Sequence, residues 1–189
     1  MTKEECNISI ATGERQLPGF WAKATHYGVV LFCLFFPAIF LCNYLFNYLK
    51  GTQLPFDASE LCIFVVLPFV FGVLLFMLQK RRLKFKHITT TLTRAQIEAI
   101  IHRVGDELEW KGHFVSSNAY KAKTYPGFFS GSWGEAITIL LAGNSVFVNS
   151  ICDPDKRGSL ASFGRNRENE NTLIESIKRA EQLVASGMH

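Results

Sequence analysis

The sequence lacks the short motifs that mark the common classes of enzyme. It contains no HExxH pair for zinc, no Walker loop for nucleotides and no GxSxG elbow for a serine nucleophile. The five histidines are scattered, and none is spaced with a carboxylate or a cysteine in a recognisable site. We interpret His102 and His113 as surface or structural residues. The sequence therefore favours a protein without catalytic activity, and it predicts no cofactor.

The cysteines give no sign of a metal centre or a disulfide framework. There are five, an odd number, with no CxxC pair and no spacing typical of zinc ligands. Cys33, Cys42 and Cys62 lie in or beside the longest apolar runs, where a small apolar side chain packs well. We therefore expect reduced packing residues and no metal site.

Charged residues are scarce and unevenly distributed. They make up 19% of the chain, against 48% hydrophobic residues, and the formal net charge is +4. Residues 87–189 balance eleven Lys and Arg against eleven Asp and Glu. The excess belongs to a run of five cations, Lys80, Arg81, Arg82, Lys84 and Lys86. Because the C-terminal part is neutral, it lacks the broad basic face that nucleic acid binding needs, and we expect no nucleic acid partner.

Two long runs contain no charge at all. Tyr27–Leu49 has 23 residues and Leu61–Leu78 has 18, each near the roughly 20 residues that cross the hydrocarbon layer of a membrane. The polar segment between them contains Gly51 and Pro55, which are typical of a tight turn. The sequence therefore predicts a transmembrane hairpin over residues 27–79, with helices at 27–49 and 61–79, after an N-terminal tail of residues 1–26.

The distribution of Lys and Arg predicts the orientation of the hairpin. The turn holds only Lys50, whereas the five-cation run begins a linker of residues 80–91 directly after the second helix. We therefore expect both termini in the cytoplasm, with the five cations against the anionic lipids of the inner leaflet. Asn43 and Asn47, four residues apart on one helix face, predict association with a partner helix or a second copy of the chain.

Residues 92–189 have the pattern of a small α+β domain. Thr93 and Gln96 form a capping-box sequence before an apolar stripe with three- and four-residue spacing, which predicts a helix. Thr172 and Glu175 form a second capping pair, which predicts the start of a closing helix.

Short segments with strand character lie between the two predicted helices. Gly143 and Asn144 separate two of them, a strong hairpin signal. The predicted strands are 110–117, 120–125, 136–141 and 145–151, with a fifth candidate at 159–163. The order of helix, antiparallel sheet of four to five strands, and helix predicts a two-layer α+β domain.

Two segments of the domain are candidates for binding. The first is a basic cluster whose guanidinium groups lead into the closing helix and suit a phosphate or an anionic lipid: Lys156, Arg157, Arg165, Asn166 and Arg167. A solvated loop with locally paired charges is the alternative. The second is a glycine-rich loop with three large aromatic side chains, Phe128, Phe129 and Trp133. These either plug one end of the sheet or, when exposed, contact a ligand, a partner or the bilayer.

A membrane hairpin followed by a β-rich domain and a closing helix resembles, in arrangement, small bacterial membrane proteins with pleckstrin-homology-like domains. This resemblance implies a bacterial inner (plasma) membrane protein. We expect a non-catalytic anchor, assembly or regulatory module that contacts a protein partner, a second copy or the inner leaflet. The alternative is a membrane-tethered sensor or enzyme for a small phosphorylated ligand, in which Trp133 and Arg165 converge on one pocket.

Overall fold

The computed structural model of the chain describes residues 2–52, 57–125, 134–155 and 164–186. The helices are α1 (Lys3–Thr12), α2 (Gly19–Lys50), α3 (Ala58–Leu61), α4 (Leu67–Arg82), α5 (Arg94–Glu107) and α6 (Arg165–Ala185), and the π-helical turn Cys62–Val66 joins α3 to α4. The strands are β1 (Lys86–Thr89), β2 (Lys111–Ser116), β3 (Ala119–Lys123), β4 (Glu135–Ala142) and β5 (Ser145–Cys152). The predicted α+β class is confirmed.

Helices α2 and α4 pack against each other as an antiparallel hairpin. Gly72 lies at their contact, where an added Cβ would stand 3.0 Å from Leu34 Cδ2 and 3.2 Å from the Cβ of Cys33. By length and composition, the helices over Gly19–Lys50 and Ser59–Arg82 are each able to span a membrane. Helix α2 begins eight residues before the predicted position 27, so its first two turns lie outside the uncharged run.

The five strands form one antiparallel sheet in the order β1-β5-β4-β3-β2. The four strands predicted between the two domain helices are all present, and Gly143 has a φ of +57° in the β4–β5 turn. The fifth strand of the described sheet is β1, which lies inside the predicted linker and pairs with β5. The candidate strand at 159–163 lies outside the described residues.

Helices α5 and α6 cover one face of the sheet and bury the main core against it. The predicted capping box is present, since Thr93 and Gln96 bond each other's backbone amides. The predicted stripe is confirmed too: Ile97, Ile100, Ile101 and Val104 are all buried. They pack with side chains from three strands and α6, among them Tyr120, Ile137, Ile139, Val146, Val148, Leu173 and Ile177.

The N-terminal segment covers part of the opposite face of the sheet. Helix α1 begins with a capping box of Thr2 and Glu5 and ends at Gly13, whose φ is +66°. Two small clusters fix the segment to the sheet. One joins Cys6 to Ala119 and Leu140, and the other joins Leu17, Ala22, Leu83, Ala136 and Ile151.

The closing helix starts earlier than the capping pair Thr172 and Glu175 predicts. Helix α6 begins at Arg165, so Thr172 lies about two turns inside it. Gly164 precedes the helix and provides no side-chain cap. The first turns are held instead by contacts with the sheet, because Glu170 Oε1 accepts a hydrogen bond from the backbone amide of Ser150 at 2.9 Å. Tertiary contact replaces the local cap that the prediction relied on.

Candidate functional site

A cavity of about 300 Å³ opens on the sheet face opposite α5 and α6. We call it the sheet-face cleft. Strands β2, β3 and β4 form its floor, and the segment between α1 and α2 borders it. Its lining includes Arg15, Gln16, Pro18, Lys111, His113, Lys121, Lys123, Tyr125, Thr138, Asp153 and Asp155.

Strand register lines up four polar side chains across the sheet at the cleft. His113 is paired with Lys121, Lys121 with Thr138, and Thr138 with Asn149. Directly paired residues of antiparallel strands point to the same face, with Cβ atoms about 5 Å apart. The row therefore presents an imidazole, an ammonium, a hydroxyl and an amide side by side.

Arg15 reaches this row from the N-terminal segment. Its Nη1 donates to the carbonyl of Ala136 at 2.7 Å and to Oδ1 of Asn149 at 3.4 Å. Burial lowers the pKa of Arg15 to about 10, although Asp153 and Asp155 act in the opposite direction. The guanidinium therefore stays charged at neutral pH. Among the described residues, it forms no ion pair within 4 Å.

The two carboxylates of the cleft are bound to a single lysine. Nζ of Lys123 lies 3.0 Å from Asp153 and 2.6 Å from Asp155. Burial acts to lower the pKa of Lys123, but the hydrogen bonds that it donates to Asp155 and Asp153 outweigh burial, and the pKa is raised. The lining holds four Lys and Arg side chains against these two carboxylates, a formal net charge of +2 with His113 neutral.

Thr138, a residue of the cleft floor, carries an unsatisfied hydroxyl. Its side chain is 1% exposed, and its Oγ1 has no hydrogen-bond partner in the part of the chain that the structure describes. A buried hydroxyl without a partner costs about 1–3 kcal/mol, and proteins retain few of them. Arg15, Lys121 and Thr138 all carry hydrogen-bond donors that suit a negatively charged acceptor.

The structure describes three of the five residues of the predicted basic cluster. Lys156 and Arg157 lie outside the described residues. Asn166 accepts a hydrogen bond from Ser150 Oγ at 3.0 Å, and Arg167 is exposed. Arg165 lines a second cavity, of about 270 Å³, whose lining also holds four carboxylates: Glu107, Glu109, Glu135 and Glu168. Arg165 therefore stands in acidic surroundings.

The predicted aromatic loop, with Phe128, Phe129 and Trp133, lies outside the described residues. The convergence of Trp133 with Arg165 stays a prediction.

The predicted association pair of α2 forms hydrogen bonds within the helix and with Thr52, just beyond its end. Asn47 Nδ2 donates to Asn43 Oδ1 at 2.7 Å, and Thr52 Oγ1 donates to Asn47 Oδ1 at 2.9 Å. Asn43 is exposed and Asn47 half-buried. A role in association of helices stays a prediction.

The five-cation run divides between surface and domain. Lys80, Arg81 and Lys84 are exposed at the end of α4. Lys86 instead contacts Glu170 at 3.1 Å and Asn171 at 2.7 Å, which attaches β1 to α6. The carbonyls of Arg82 and Lys84 both accept from Asn149 Nδ2, at 2.8 and 3.0 Å.

The sheet-face cleft was not predicted from the sequence, although the sequence does contain a signal for helix α1, which precedes the segment that borders the cleft. Thr2 and Glu5 have the capping-box spacing that identified α5, and Gly13 is a typical residue after a helix end. They would have predicted α1 within the N-terminal tail. No local pattern pairs Arg15 with Ala136, however, because the two are 121 positions apart.

No protein-family model matches the chain, and no curated protein matches it.

Proposed function

We propose that the chain is a two-pass membrane protein that holds its α+β domain in a fixed position at the cytoplasmic surface, as a regulatory or assembly module. Membrane insertion is supported by the exposure of apolar side chains along both long helices, including Leu31, Phe35, Phe71 and Leu74. An apolar surface of this extent is rare on a soluble monomer and suits a lipid environment.

Residues at one end of the hairpin fit the interface of a membrane. Phe20 and Trp21, on the first turn of α2, are 75% and 79% exposed. Aromatic rings of this kind favour the headgroup layer. Lys80, Arg81 and Lys84 are exposed at the end of α4, next in the chain to the domain. This supports a cytoplasmic location for the domain, with its cations at the anionic inner leaflet.

The observation that carries the proposal is a backbone bridge between the two segments that leave the hairpin. The amide of Arg15 donates to the carbonyl of Leu83 at 2.7 Å, and the amide of Phe85 donates to the carbonyl of Gly13 at 2.9 Å. These bonds flank Glu14 and Lys84, which face each other as an antiparallel pair. Since Leu17, Ala22 and Leu83 also pack on Ala136 and Ile151, the hairpin and the sheet form one packed unit.

A cysteine cross-link tests this docked arrangement. Glu14 and Lys84 form a pair without mutual hydrogen bonds, whose Cα atoms lie about 4.5 Å apart, within reach of a disulfide. In membranes of cells that make the full-length Glu14→Cys/Lys84→Cys variant, we expect oxidation to link peptides containing positions 14 and 84, as detected by mass spectrometry.

The control pair is Glu14→Cys/Arg103→Cys, because Arg103 is exposed on α5, across the sheet from α1. It should give no link. A domain that is only tethered to the hairpin would leave both variants unlinked, and that result would refute the proposed fixed position.

The sheet-face cleft favours a second candidate function, a membrane-tethered sensor of a small anionic ligand. Its net positive lining and the unsatisfied Thr138 hydroxyl are the observations that favour it.

A further inference from the structure

We infer that the sheet-face cleft binds a phosphate group, which Arg15, Lys121 and the hydroxyl of Thr138 hold together. This inference rests on the proposed docking of the N-terminal segment, since Arg15 belongs to that segment.

The three donors converge because of strand register. Lys121 and Thr138 are directly paired across β3 and β4. The guanidinium of Arg15 bonds the carbonyl of Ala136, two residues before Thr138 on the same strand. Residues two apart in a strand share a face and lie about 7 Å apart. Arg15 and Lys121 therefore line the same cleft as Thr138.

The charge of the lining fits a phosphate monoester. Asp153 and Asp155 both form ion pairs with Lys123. With both carboxylates counted, the formal charge of the whole lining is +2, and a phosphate monoester carries about −1.5 to −2 at neutral pH. Among the described residues, Lys121 forms no ion pair of its own.

The buried hydroxyl supports a ligand independently of charge. Thr138 lines the cleft, and its buried Oγ1 has no hydrogen-bond partner among the described residues. A phosphate oxygen accepting its proton would satisfy it. At about 300 Å³ the cleft lies at the small end of ligand pockets, which suits a single phosphate with a small substituent.

The position of the cleft admits two sources of that phosphate. Gln16 and Pro18 line it, and α2 begins at Gly19, so it borders the proposed membrane surface. A soluble phosphate monoester and a lipid with a terminal phosphate present the same chemistry there.

Calorimetry with glycerol 3-phosphate tests the inference on the full-length protein in nanodiscs of phosphatidylcholine, with glycerol as the uncharged comparison. We expect glycerol 3-phosphate to bind and glycerol not to bind. Lys121→Met should weaken binding about tenfold or more, because a charged hydrogen bond is lost. Lys178→Met, an exposed lysine on α6, is the matched control and should leave the affinity unchanged.

Thr138→Val separates a ligand contact from a structural role. It keeps the shape of the side chain and removes only the unpartnered hydroxyl, so Tm should stay equal or rise while binding weakens about threefold to tenfold. A fall in Tm with unchanged affinity would overturn the assignment. So would the absence of binding by the wild type, or wild-type affinity in both variants.

A second set of nanodiscs, containing phosphatidic acid, distinguishes the two sources. If the lipid headgroup occupies the cleft, glycerol 3-phosphate should bind more weakly in these discs. Equal affinity in both discs indicates a soluble ligand. If the Glu14–Lys84 cross-link forms but no phosphate binds, this inference is wrong and the proposed function stands. If the cross-link is absent, the proposed function itself is wrong.

Discussion

Single buried polar atoms determine how the α5–α6 layer meets the sheet. The indole Nε1 of Trp110 donates to Asn169 Oδ1 at 3.0 Å, and Asn169 Nδ2 donates to Ser150 Oγ at 3.1 Å. Trp110 and Asn169 are both buried. One asparagine therefore satisfies a donor from the start of β2 and an acceptor on β5, and it fixes the N-terminal turns of α6 against both.

Replacement of this asparagine should destabilise the domain. In Asn169→Ala the indole N–H would be buried without an acceptor, so we expect the free energy of unfolding to fall by about 1–3 kcal/mol. Chemical denaturation followed by tryptophan fluorescence measures the change. Gln182→Ala, at an exposed position of the same helix, should change it by less than about 0.5 kcal/mol. Equal stability of the two variants would contradict the role of Asn169.

Residue patterns predicted local features well and long-range ones poorly. Thr93 and Gln96 are three positions apart, so their capping box is visible in the sequence and present in the structure. The row of Lys121, Thr138 and Asn149 depends on the register of three strands. Alternation of apolar residues shows which residues share a face of one strand, but it does not show which residue of the next strand lies opposite.

Local sequence signals and tertiary contacts together decide where a helix begins. The two agree at α5 and differ at α6. Helix α5 begins at its predicted cap, whereas α6 extends about two turns before Thr172 because Asn169 and Glu170 bond to the sheet and its neighbours. Strand β1 was not predicted because it is only four residues long and its first two residues, Lys86 and His87, are polar. Its pairing with β5 supplies the stability that its own pattern does not indicate.

The contact between α2 and α4 depends on a glycine. A side chain at position 72 would meet Leu34 and Cys33 at 3.0–3.3 Å. Gly72→Leu should therefore separate the helices and destabilise the hairpin by about 1–3 kcal/mol, as measured by Tm in detergent. Gly28→Leu provides the matched control, since nothing lies within 4 Å of its Cβ position. If the two variants lower Tm by the same amount, the close approach at Gly72 does not stabilise the hairpin.

At the scale of the whole molecule, the hairpin and the domain share a structural junction. The N-terminal segment passes from α1 across the sheet to α2, and the chain after α4 returns beside it at Leu83 and Phe85. Asn149, on β5, donates to the carbonyls of Arg82 and Lys84, so the sheet itself contacts the junction. A ligand that bound Arg15 and Lys121 together would therefore stabilise the same junction.

The central claim is that this junction is a stable part of the folded protein, and hydrogen–deuterium exchange tests it most directly. In the full-length protein in nanodiscs, the amides of Arg15 and Phe85 are hydrogen-bonded across the junction at 2.7 and 2.9 Å. Peptides covering residues 13–18 and 83–86 should therefore exchange as slowly as peptides from the paired strands β4 and β5. Exchange of those two peptides at the rate of an unstructured chain, while β4 and β5 stay protected, would contradict the account.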